Sequence, residues 1–349
     1  MKMLMKSLLL ALISGVISIC QTLACTRVVY KGLDGIILTA RTMDWREDIM
    51  TNLWIFPRGI DRNGETGNNT VKWKAKYGSI IAAAYDISST DGMNEKGLVA
   101  NLLWLVESEY PKWDHKKPGM SIAIWTQWVL DNFATVDEVV KAMQNEPFII
   151  VTDNVPGMNR MATLHLSISD PTGDNAIFEY LHGKLIIHHG KSYNVMTNSP
   201  IFDKQLALDE YWKEIGGTVM LPGTNRAADR FVRASFYADV VPKTDNLRIA
   251  LASAFSIIRN CSVPYGISTP NQPNISTTRW RCVADQKNLV YYFETVLTPN
   301  TFWVNFKDVD FSENAPVKKL SLTNNEVYAG NAASSFVSTP AFKFMGLSQ

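Results

Sequence analysis

The sequence Thr22-Leu23-Ala24-Cys25-Thr26-Arg27-Val28-Val29-Tyr30 joins the end of an apolar leader to the first β-rich run of the chain. Ala24 is the kind of small residue that precedes a leader cleavage point, so cleavage would make Cys25 the first residue of the mature chain. That residue would carry a thiol nucleophile and a free α-amine together. Because an α-amine has a pKa of about 7.7–8.0, it can accept the thiol proton without a histidine.

Residues 1–24 have the three parts of a secretory signal. Lys2 and Lys6 give it a positive start, and an apolar stretch then runs from Leu8 to about Ile19. This stretch is too short to cross a hydrocarbon core of about 30 Å. We therefore expect a cleaved leader, a periplasmic or secreted mature protein and no stable membrane insertion. The alternative is an uncleaved N-terminal anchor.

The charge balance and composition exclude several classes of protein. The chain has 34 Lys+Arg and 33 Asp+Glu, and loss of the two leader lysines leaves a mature chain with a net charge of −1. Scattered basic residues at this net charge do not indicate a nucleic-acid partner. A hydrophobic content of 46% and a charged content of 19% are typical of a compact globular protein. No repeat and no linker rich in Pro, Gly or Ser divides residues 25–349, so we predict one domain there.

The cysteines support a free thiol at position 25. Cys20 would leave with the leader, and Cys261 and Cys282 could form a disulfide in an exported protein. With that pair formed, Cys25 is the cysteine left over. The alternative is that Cys261 and Cys282 are ordinary buried thiols, because the sequence does not give their separation.

The hydrophobic pattern predicts strands and helices in alternating groups. Thr135 and Glu138 predict a capping box at one helix start, and Asp91-Gly92-Met93-Asn94-Glu95-Lys96-Gly97 is typical of a polar turn. The predicted strands are 27–30, 36–39, 53–56, 79–85, 98–104, 164–168, 176–180, 184–188, 278–284, 289–295 and 302–306. The predicted helices are 121–132, one beginning at 135, 203–212, 226–239 and 247–258. This order predicts sheets packed between helices.

Arg41 and Asp44 lie at the end of an early predicted strand. Antiparallel pairing with the N-terminal strand would bring both near Cys25. A buried guanidinium would favour the thiolate, and a carboxylate would hold the ammonium form or orient the amine. The alternative is an ion pair on the surface.

Asn198 and Arg230 are further candidates, each with a plainer explanation. Asn198 precedes a predicted helix and could donate to a developing oxyanion, although Asn-Ser-Pro is also a common turn. Arg230 shares a helix face with Arg226, which is typical of a solvated stripe. The five histidines show no metal-ligand spacing, so we expect no metal and no cofactor. We predict structural or exposed roles for them; they are His115, His165, His182, His188 and His189.

Together, these motifs resemble the choloylglycine hydrolase family of N-terminal-nucleophile hydrolases, which includes bile salt hydrolases and penicillin V acylases. The resemblance covers nearly the whole mature chain and has the same order of motifs. The segments that carry it are Cys25-Thr26-Arg27, Arg41-Thr42-Met43-Asp44-Trp45, Asp91-Gly92-Met93-Asn94-Glu95-Lys96-Gly97-Leu98, Thr197-Asn198-Ser199-Pro200 and Arg230-Phe231-Val232-Arg233.

The resemblance implies an α+β fold with four αββα layers, in which two antiparallel sheets lie between helices, and hydrolysis of a linear amide. It implies Cys25 as nucleophile, with Arg41 and Asp44 beside it. Asn198 matches the oxyanion donor, and Arg230 matches the arginine that completes the polar network. A second oxyanion position, Asn in many bile salt hydrolases and Tyr in some penicillin acylases, is Trp104 here. Only its backbone N–H remains a candidate donor.

The expected substrate is a small-molecule amide with a large apolar acyl group. Trp45, Tyr85 and Trp104 are the candidate substrate-binding residues. The sequence slightly favours conjugated bile acids, and penicillin V or N-acyl homoserine lactones are the alternatives. The run between Asn198 and Arg230 is shorter than in many family members, whose longer loop there helps to form tetramers. Together with the leader, the shorter run resembles the branch from Gram-negative bacteria. Analogy with the family predicts a homo-oligomer, a tetramer.

The residues before Cys25 also allow a different interpretation, in which the chain is not an enzyme. Leu23-Ala24-Cys25 resembles the end of a lipoprotein signal, which would make the chain a lipid-anchored binding protein with an acylated Cys25. Thr22 stands where such a signal has an apolar residue. The sequence therefore favours the enzyme.

Overall fold

Two large, mainly antiparallel sheets pack face to face, and helices cover the outer face of each. The computed structural model describes residues 25–268, 276–298 and 300–347. The predicted leader, residues 1–24, and Cys20 within it lie outside the described residues. The predicted αββα arrangement of layers is confirmed.

The first sheet carries the N-terminal strand in an interior position. Seven strands form it, in the spatial order β14 (Val195–Met196), β1 (Cys25–Lys31), β2 (Ile37–Trp45), β15 (Thr277–Asp285), β16 (Val290–Thr295), β17 (Phe302–Asn305) and β19 (Gly330–Asn331). On its outer side lie α3 (Phe202–Ile215), α4 (Ala227–Val240) and α5 (Leu247–Asn260), of which α4 and α5 contact the sheet and α3 packs on α4.

The second sheet faces the first across the core. Nine strands form it, in the order β13 (Lys184–His189), β12 (Asn175–Leu181), β11 (Leu164–Ser169), β8 (Val99–Trp104), β7 (Ser88–Asn94), β6 (Ser79–Ala84), β3 (Leu53–Phe56), β18 (Lys318–Leu320) and β20 (Val337–Ser338). On its outer side lie α1 (Trp125–Asn132) and α2 (Val136–Gln144). The helices among the described residues all lack the length and apolar content that a membrane span requires.

Smaller elements complete the described chain. Two separate two-stranded sheets pair β4 (Asp61–Asn63) with β5 (Lys72–Lys74), and β9 (Gly119–Ser121) with β10 (Ile149–Val151). Three single 3₁₀ turns are Ile122–Ile124, Phe306–Asp308 and Ala333–Ser335. The predicted capping box is confirmed at α2, where the Thr135 side chain accepts from the Glu138 N–H and Glu138 reaches back.

The polar turn predicted for residues 91–97 was wrong over most of its length. Residues 91–94 belong to strand β7, and the turn predicted for 91–97 is confined to 95–97. The polar side chains that suggested a turn are buried and hydrogen-bonded instead. Asn94 donates to the carbonyls of Leu130 and Phe133 at 2.9 and 2.7 Å. Polar residues can lie in a buried strand when each finds a partner there.

Strand β2 presents different chemistry on its two faces, because successive side chains of a strand alternate. It pairs antiparallel with β1, with Cys25 opposite Met43 and Thr26 opposite Thr42. The cavity between the sheets is lined by Cys25, Arg41, Met43 and Trp45. Thr42 and Asp44 lie on the other face, toward α4 and α5. All nine residues of β2 are buried.

The turn after β7 requires glycine at position 97 for two reasons. Gly97 has φ +79°, and a Cβ there would lie 2.5 Å from the carbonyl oxygen of Gln286 and 2.7 Å from Pro171. Gly67 has the same backbone conformation, φ +80°, but no described atom lies within 4 Å of the place its Cβ would take.

Gly97→Ala is therefore expected to lower the free energy of unfolding more than Gly67→Ala does. The left-handed conformation alone costs about 1–2 kcal/mol, which is the loss we expect for Gly67→Ala. Overpacking against Gln286 adds about 1–3 kcal/mol in Gly97→Ala. Urea unfolding of the two variants measures the difference. Equal losses of the free energy of unfolding would show that the contact with Gln286 does not affect stability.

Candidate active site

A cavity lies between the two sheets at the N-terminal end of β1, with about 740 Å³ of empty space that is partly open to solvent. Cys25 and Arg41 line it together with all three aromatic residues predicted to bind substrate, namely Trp45, Tyr85 and Trp104. The rings of Trp45 and Trp104 are 5.5 Å apart between centroids. The structure therefore brings the predicted nucleophile and the predicted apolar wall into one space.

Cys25 is buried, with 4% of its surface exposed. Its Sγ lies 3.8 Å from the sulfur of Met43 and 3.9 Å from the main-chain oxygen of Asp44. Burial raises the pKa of the Cys25 thiol, the guanidinium of Arg41 acts to lower it, and the charge on Asp44 adds to the increase. Because the net effect is a raised pKa, this thiol needs a base to become a thiolate.

Arg41 is fully buried and pairs with Asp91, not with Asp44. Its Nη1 lies 3.3 Å from Asp91 Oδ2, and its Nη2 donates to the Leu102 carbonyl at 2.9 Å. Burial acts to lower the pKa of Arg41, but the charges of Cys25 and Asp91 raise it above its usual value. The alternative of a surface ion pair between Arg41 and Asp44 is therefore wrong, while the prediction that both lie near Cys25 is confirmed.

Asp44 lies on the helix-facing side of β2 and is completely buried. Its Oδ2 is 3.9 Å from Nη1 of Arg230, which reaches it from α4. Burial raises the pKa of Asp44 to about 6, and the nearby charge of Arg230 is the largest of the effects that oppose the increase.

Arg230 connects the parts of the predicted site. Its Nη1 donates to the Cys25 carbonyl at 2.6 Å and to Thr26 Oγ1 at 2.5 Å, and its Nη2 donates to Asn198 Oδ1 at 3.0 Å. Arg230 is buried whereas Arg226, one turn earlier, is exposed. The solvated stripe considered for these two arginines is therefore wrong for Arg230.

The Asn198 side chain has its orientation fixed by its partners. Its Oδ1 accepts from the main-chain nitrogen of Cys25 at 2.5 Å and from Arg230, and its Nδ2 donates to the Trp104 carbonyl at 2.7 Å. The Cys25 and Arg230 groups can only donate and the carbonyl can only accept, so the amide oxygen and nitrogen are distinguished. The second hydrogen of Nδ2 remains for another acceptor.

The backbone of Trp104 points toward the same place. Leu105 N–H donates to the Thr163 carbonyl at 2.9 Å, so the neighbouring pair Trp104–Leu164 is a non-hydrogen-bonded pair of the antiparallel ladder. The N–H and C=O of Trp104 therefore point away from β11, to the side on which its carbonyl meets Asn198.

Comparisons with known proteins identify the family of this chain. Residues 25–319 match the family model described as linear amide C–N hydrolases, choloylglycine hydrolase family. The chain belongs to the choloylglycine hydrolase family. It is therefore a hydrolase of linear amides, as the sequence predicted.

Three relatives show how similarity to this chain is distributed. A penicillin V acylase of Pectobacterium atrosepticum is 53% identical over 362 residues, which covers 97% of this chain and 96% of that protein. The solved structure of a penicillin V acylase from Agrobacterium tumefaciens superposes with a TM-score of 0.87 at 60% identity, covering 93% of this chain and all of that one. A bile salt hydrolase/transferase of Clostridium perfringens is 30% identical over 297 residues, 77% of this chain and 88% of that protein.

Sequence reasoning missed a buried network around Asp91. Asp91 accepts from Asn101 Nδ2 and from the Tyr291 hydroxyl, both at 2.5 Å, besides its contact with Arg41. These residues come from both sheets. A buried acid in a strand flanked by glycine is a signal that the sequence offered, but its partners lie 50 or more residues away except for Asn101.

The disulfide considered for Cys261 and Cys282 is wrong, and the alternative of two buried thiols is confirmed. Cys282 Sγ lies 3.5 Å from Asp91 Oδ1, and Cys261 Sγ lies 3.7 Å from the Arg230 carbonyl. Each thiol contacts a different buried oxygen, and Cys25 is also free.

The histidines lie outside the wall of the cavity. None of the five, all of which are described, lines it. His165 is buried, with Nε2 2.8 Å from the Thr197 carbonyl and Nδ1 3.2 Å from Glu179. Among the described residues, no group of three or more His, Cys, Asp or Glu side chains could hold a metal ion.

Gln205 on α3 is a further contributor that the sequence did not indicate. Its amide nitrogen donates to the main-chain carbonyl of Asn198, and its amide oxygen accepts from the Thr197 hydroxyl at 2.7 Å. These contacts hold the Thr197 side chain and the Asn198 carbonyl, so the start of α3 positions the segment that carries the Asn198 amide.

Proposed function

We propose that the mature chain begins at Cys25 and hydrolyses amides of an aryloxyacetyl group, such as that of phenoxymethylpenicillin, with Cys25 as nucleophile. The observation that carries the proposal is the cavity in which Cys25 lies beside Trp45, Tyr85 and Trp104. Aromatic side chains at this spacing can pack against an aromatic acyl group in offset or edge-on contact.

The relatives support this choice of substrate over conjugated bile acids, which the sequence slightly favoured. The two relatives named penicillin V acylases are 53% and 60% identical to this chain, and the bile salt hydrolase/transferase is 30% identical. N-acyl homoserine lactones, the third candidate, also have an acyl group that an apolar cavity could take.

The proposed reaction proceeds through a thioester. The α-amine of Cys25 takes the thiol proton, and the thiolate attacks the amide carbon. Asn198 Nδ2 and the Trp104 N–H donate to the oxyanion that forms. Both donors lie on the side of β8 that faces away from β11. The α-ammonium gives its proton to the leaving amine as the C–N bond breaks. The amine then takes a proton from water as the water oxygen attacks the thioester carbon. The C–S bond breaks, the carboxylic acid leaves, and the α-ammonium returns its proton to the Cys25 thiolate.

The charged residues around Cys25 act on different groups in this reaction. Arg41 faces the cavity, and its positive charge opposes the increase in the pKa of the Cys25 thiol that burial causes. Asp44 and Arg230 face the helices, where Arg230 holds the Cys25 carbonyl and the Asn198 oxygen. The positive charge on the α-ammonium is favoured by the carboxylate of Asp44.

Export and N-terminal processing belong to the same proposal. Cleavage after Ala24 in the periplasm or outside the cell would release the amine, and the family match also begins at Cys25. We propose a homo-oligomer, a tetramer by analogy, in keeping with exposed apolar side chains on and after α3. These are Leu208, Tyr211, Ile215, Val219 and Met220.

A substrate panel on the mature protein tests the proposed function. Intact mass first establishes that the chain begins at an unmodified Cys25; a mass increased by acyl chains would instead support the lipid-anchored binding protein. Phenoxymethylpenicillin, glycocholate, taurocholate and an N-acyl homoserine lactone are then compared by kcat/KM.

We expect the highest kcat/KM for phenoxymethylpenicillin. We expect a lower value for benzylpenicillin, the control whose acyl group lacks the ether oxygen and is therefore one atom shorter. A higher kcat/KM for glycocholate or taurocholate would move the assignment to bile acids. No hydrolysis of any of these compounds would overturn the proposed function.

A further inference from the structure

We propose that Thr42 and Thr278 are positioning residues that hold the Asp44 carboxylate in its ionised form and thereby set the lower pH limit of amide hydrolysis. The inference rests on the proposed function, in which Cys25 uses its own amine as base. It concerns the face of the first sheet opposite the substrate cavity, where the two threonines contact Asp44.

Each oxygen of the Asp44 carboxylate accepts from a different hydroxyl group. Thr278 Oγ1 donates to Oδ1 at 2.5 Å, and Thr42 Oγ1 donates to Oδ2 at 3.1 Å. The fold supplies both from the sheet itself. Thr278 is the cross-strand partner of Asp44 on β15, and Thr42 precedes Asp44 by two residues on the same face of β2.

Each hydroxyl also accepts a main-chain N–H, and this decides where its own hydrogen points. Val263 N–H donates to Thr278 Oγ1 at 2.8 Å, and Thr26 N–H donates to Thr42 Oγ1 at 3.0 Å. An amide N–H can only donate, so it occupies a lone pair of the threonine oxygen. The single hydroxyl hydrogen is then free to point at the carboxylate.

This arrangement favours the ionised carboxylate over the neutral acid. A proton on either oxygen of Asp44 would compete with the hydroxyl hydrogen already directed at that oxygen. One of the two hydrogens would lose its acceptor inside a completely buried site, where an unmade hydrogen bond is costly. Two hydroxyl donors fixed in this way therefore oppose protonation from both sides of the group.

The other charges around Asp44 set the balance that the threonines adjust. Arg230 approaches from α4 and Arg281 lies on β15. The Cys261 thiol, at the end of α5, and the Cys25 thiol, which lines the cavity on the other face of the sheet, are also close enough to interact with its charge. Burial raises the pKa of Asp44 to about 6, and the opposing effects are Arg230, then the hydrogen bonds from Thr278 and Thr42, then Arg281. A carboxyl group in this range loses its charge when the pH falls below about 6.

The sign of the activity change follows from that balance. Neutral Asp44 no longer favours the α-ammonium, so the Cys25 amine becomes a weaker base for its thiol and activity falls with falling pH. Removing a hydroxyl donor raises the pKa of Asp44 further. The acidic limb of the pH profile must then move to higher pH, while hydrolysis well above that limb still finds Asp44 ionised.

The test is the pH dependence of kcat/KM for Thr278→Val and Thr42→Val in the mature protein, with the best substrate of the panel. Valine keeps the branched shape and removes only the hydroxyl. We expect the acidic limb of each variant to move upward by about one pH unit, since a hydrogen bond to a charged group is of that strength. We expect KM at neutral pH to stay close to that of the unmodified protein.

Thr277→Val is the matched control. Thr277 is the buried neighbour of Thr278 on β15, and its hydroxyl has no hydrogen-bond partner in the described part of the chain. Its acidic limb should not move. Thr278→Ser should restore the limb, because serine returns the hydroxyl; this variant also covers the case in which Thr278→Val fails to fold.

The outcomes separate this inference from the function on which it rests. If the unmodified protein hydrolyses the substrate through Cys25 but the limb stays in place in both valine variants, the threonines do not set it. An equal shift in Thr277→Val would overturn the inference as well, because it would show a general effect of the substitution. Loss of Cys25 dependence would instead overturn the proposed function.

Discussion

Cys25→Ala is expected to abolish nearly all hydrolysis, with a loss of about 10⁶-fold in kcat. The variant lacks the sulfur that forms the thioester, and no histidine or serine in the described cavity wall stands in a base-activated pair that could replace it. Removal of the nucleophile in a comparable hydrolase costs about 10⁶-fold in kcat. The measurement is single-turnover and steady-state hydrolysis by the mature variant, whose folding is checked by circular dichroism.

Cys261→Ala is the matched control for Cys25→Ala. Cys261 is also a buried free thiol, but it lies at the end of α5 and does not line the cavity. We expect this variant to lose some stability and to keep its turnover. Turnover of Cys25→Ala near that of the unmodified protein would remove the basis of the proposed mechanism.

Asn198→Ala is expected to lower kcat by about 10²–10³-fold, the usual effect of removing one oxyanion donor. KM should change little, because the donor is needed when charge develops on the carbonyl oxygen and not when substrate binds. The variant also leaves Arg230 and the Cys25 nitrogen without the acceptor they share. Steady-state kinetics with phenoxymethylpenicillin separates kcat from KM.

Asn194→Ala is the control for Asn198→Ala. Asn194 is in the same segment, and its Oδ1 accepts from Asn175 at 3.4 Å instead of contacting Cys25. The kcat of Asn194→Ala should stay close to that of the unmodified protein. A rise in KM with unchanged kcat in Asn198→Ala would assign Asn198 to substrate binding and not to the oxyanion.

Local patterns in the sequence were sufficient for the helices and for most of the longer strands, whereas the four-layer αββα arrangement was implied by the family resemblance. The alternation of apolar and polar residues predicted β11, β12 and β13, which follow one another in the chain and pair with each other. Thr135 and Glu138 predicted the start of α2. Strand β7 was missed because its polar residues have partners that are distant in sequence. Tyr291, for example, reaches Asp91 across 200 residues.

The candidate site was predicted as a set of residues but not as a set of contacts. The order of motifs identified Cys25, Arg41, Asp44, Asn198 and Arg230. The spacing of three between Arg41 and Asp44 suggested that they pair, whereas strand alternation turns them to opposite faces, where Asp91 and Arg230 are their partners. Thr278 and Gln205 lacked any sequence signal, because their importance depends on which main-chain groups they meet.

The two faces of β2 have a consequence for changing the enzyme's substrate. Met43 and Trp45 line the cavity, while Thr42 and Asp44, alternating with them, belong to the charged network beneath the sheet. Mutational libraries confined to positions 43 and 45, with cavity residues of β8, can therefore reshape the acyl pocket and leave the proton-handling groups in place. Such a division lets selection explore new amides without first disabling the chemistry that cleaves them.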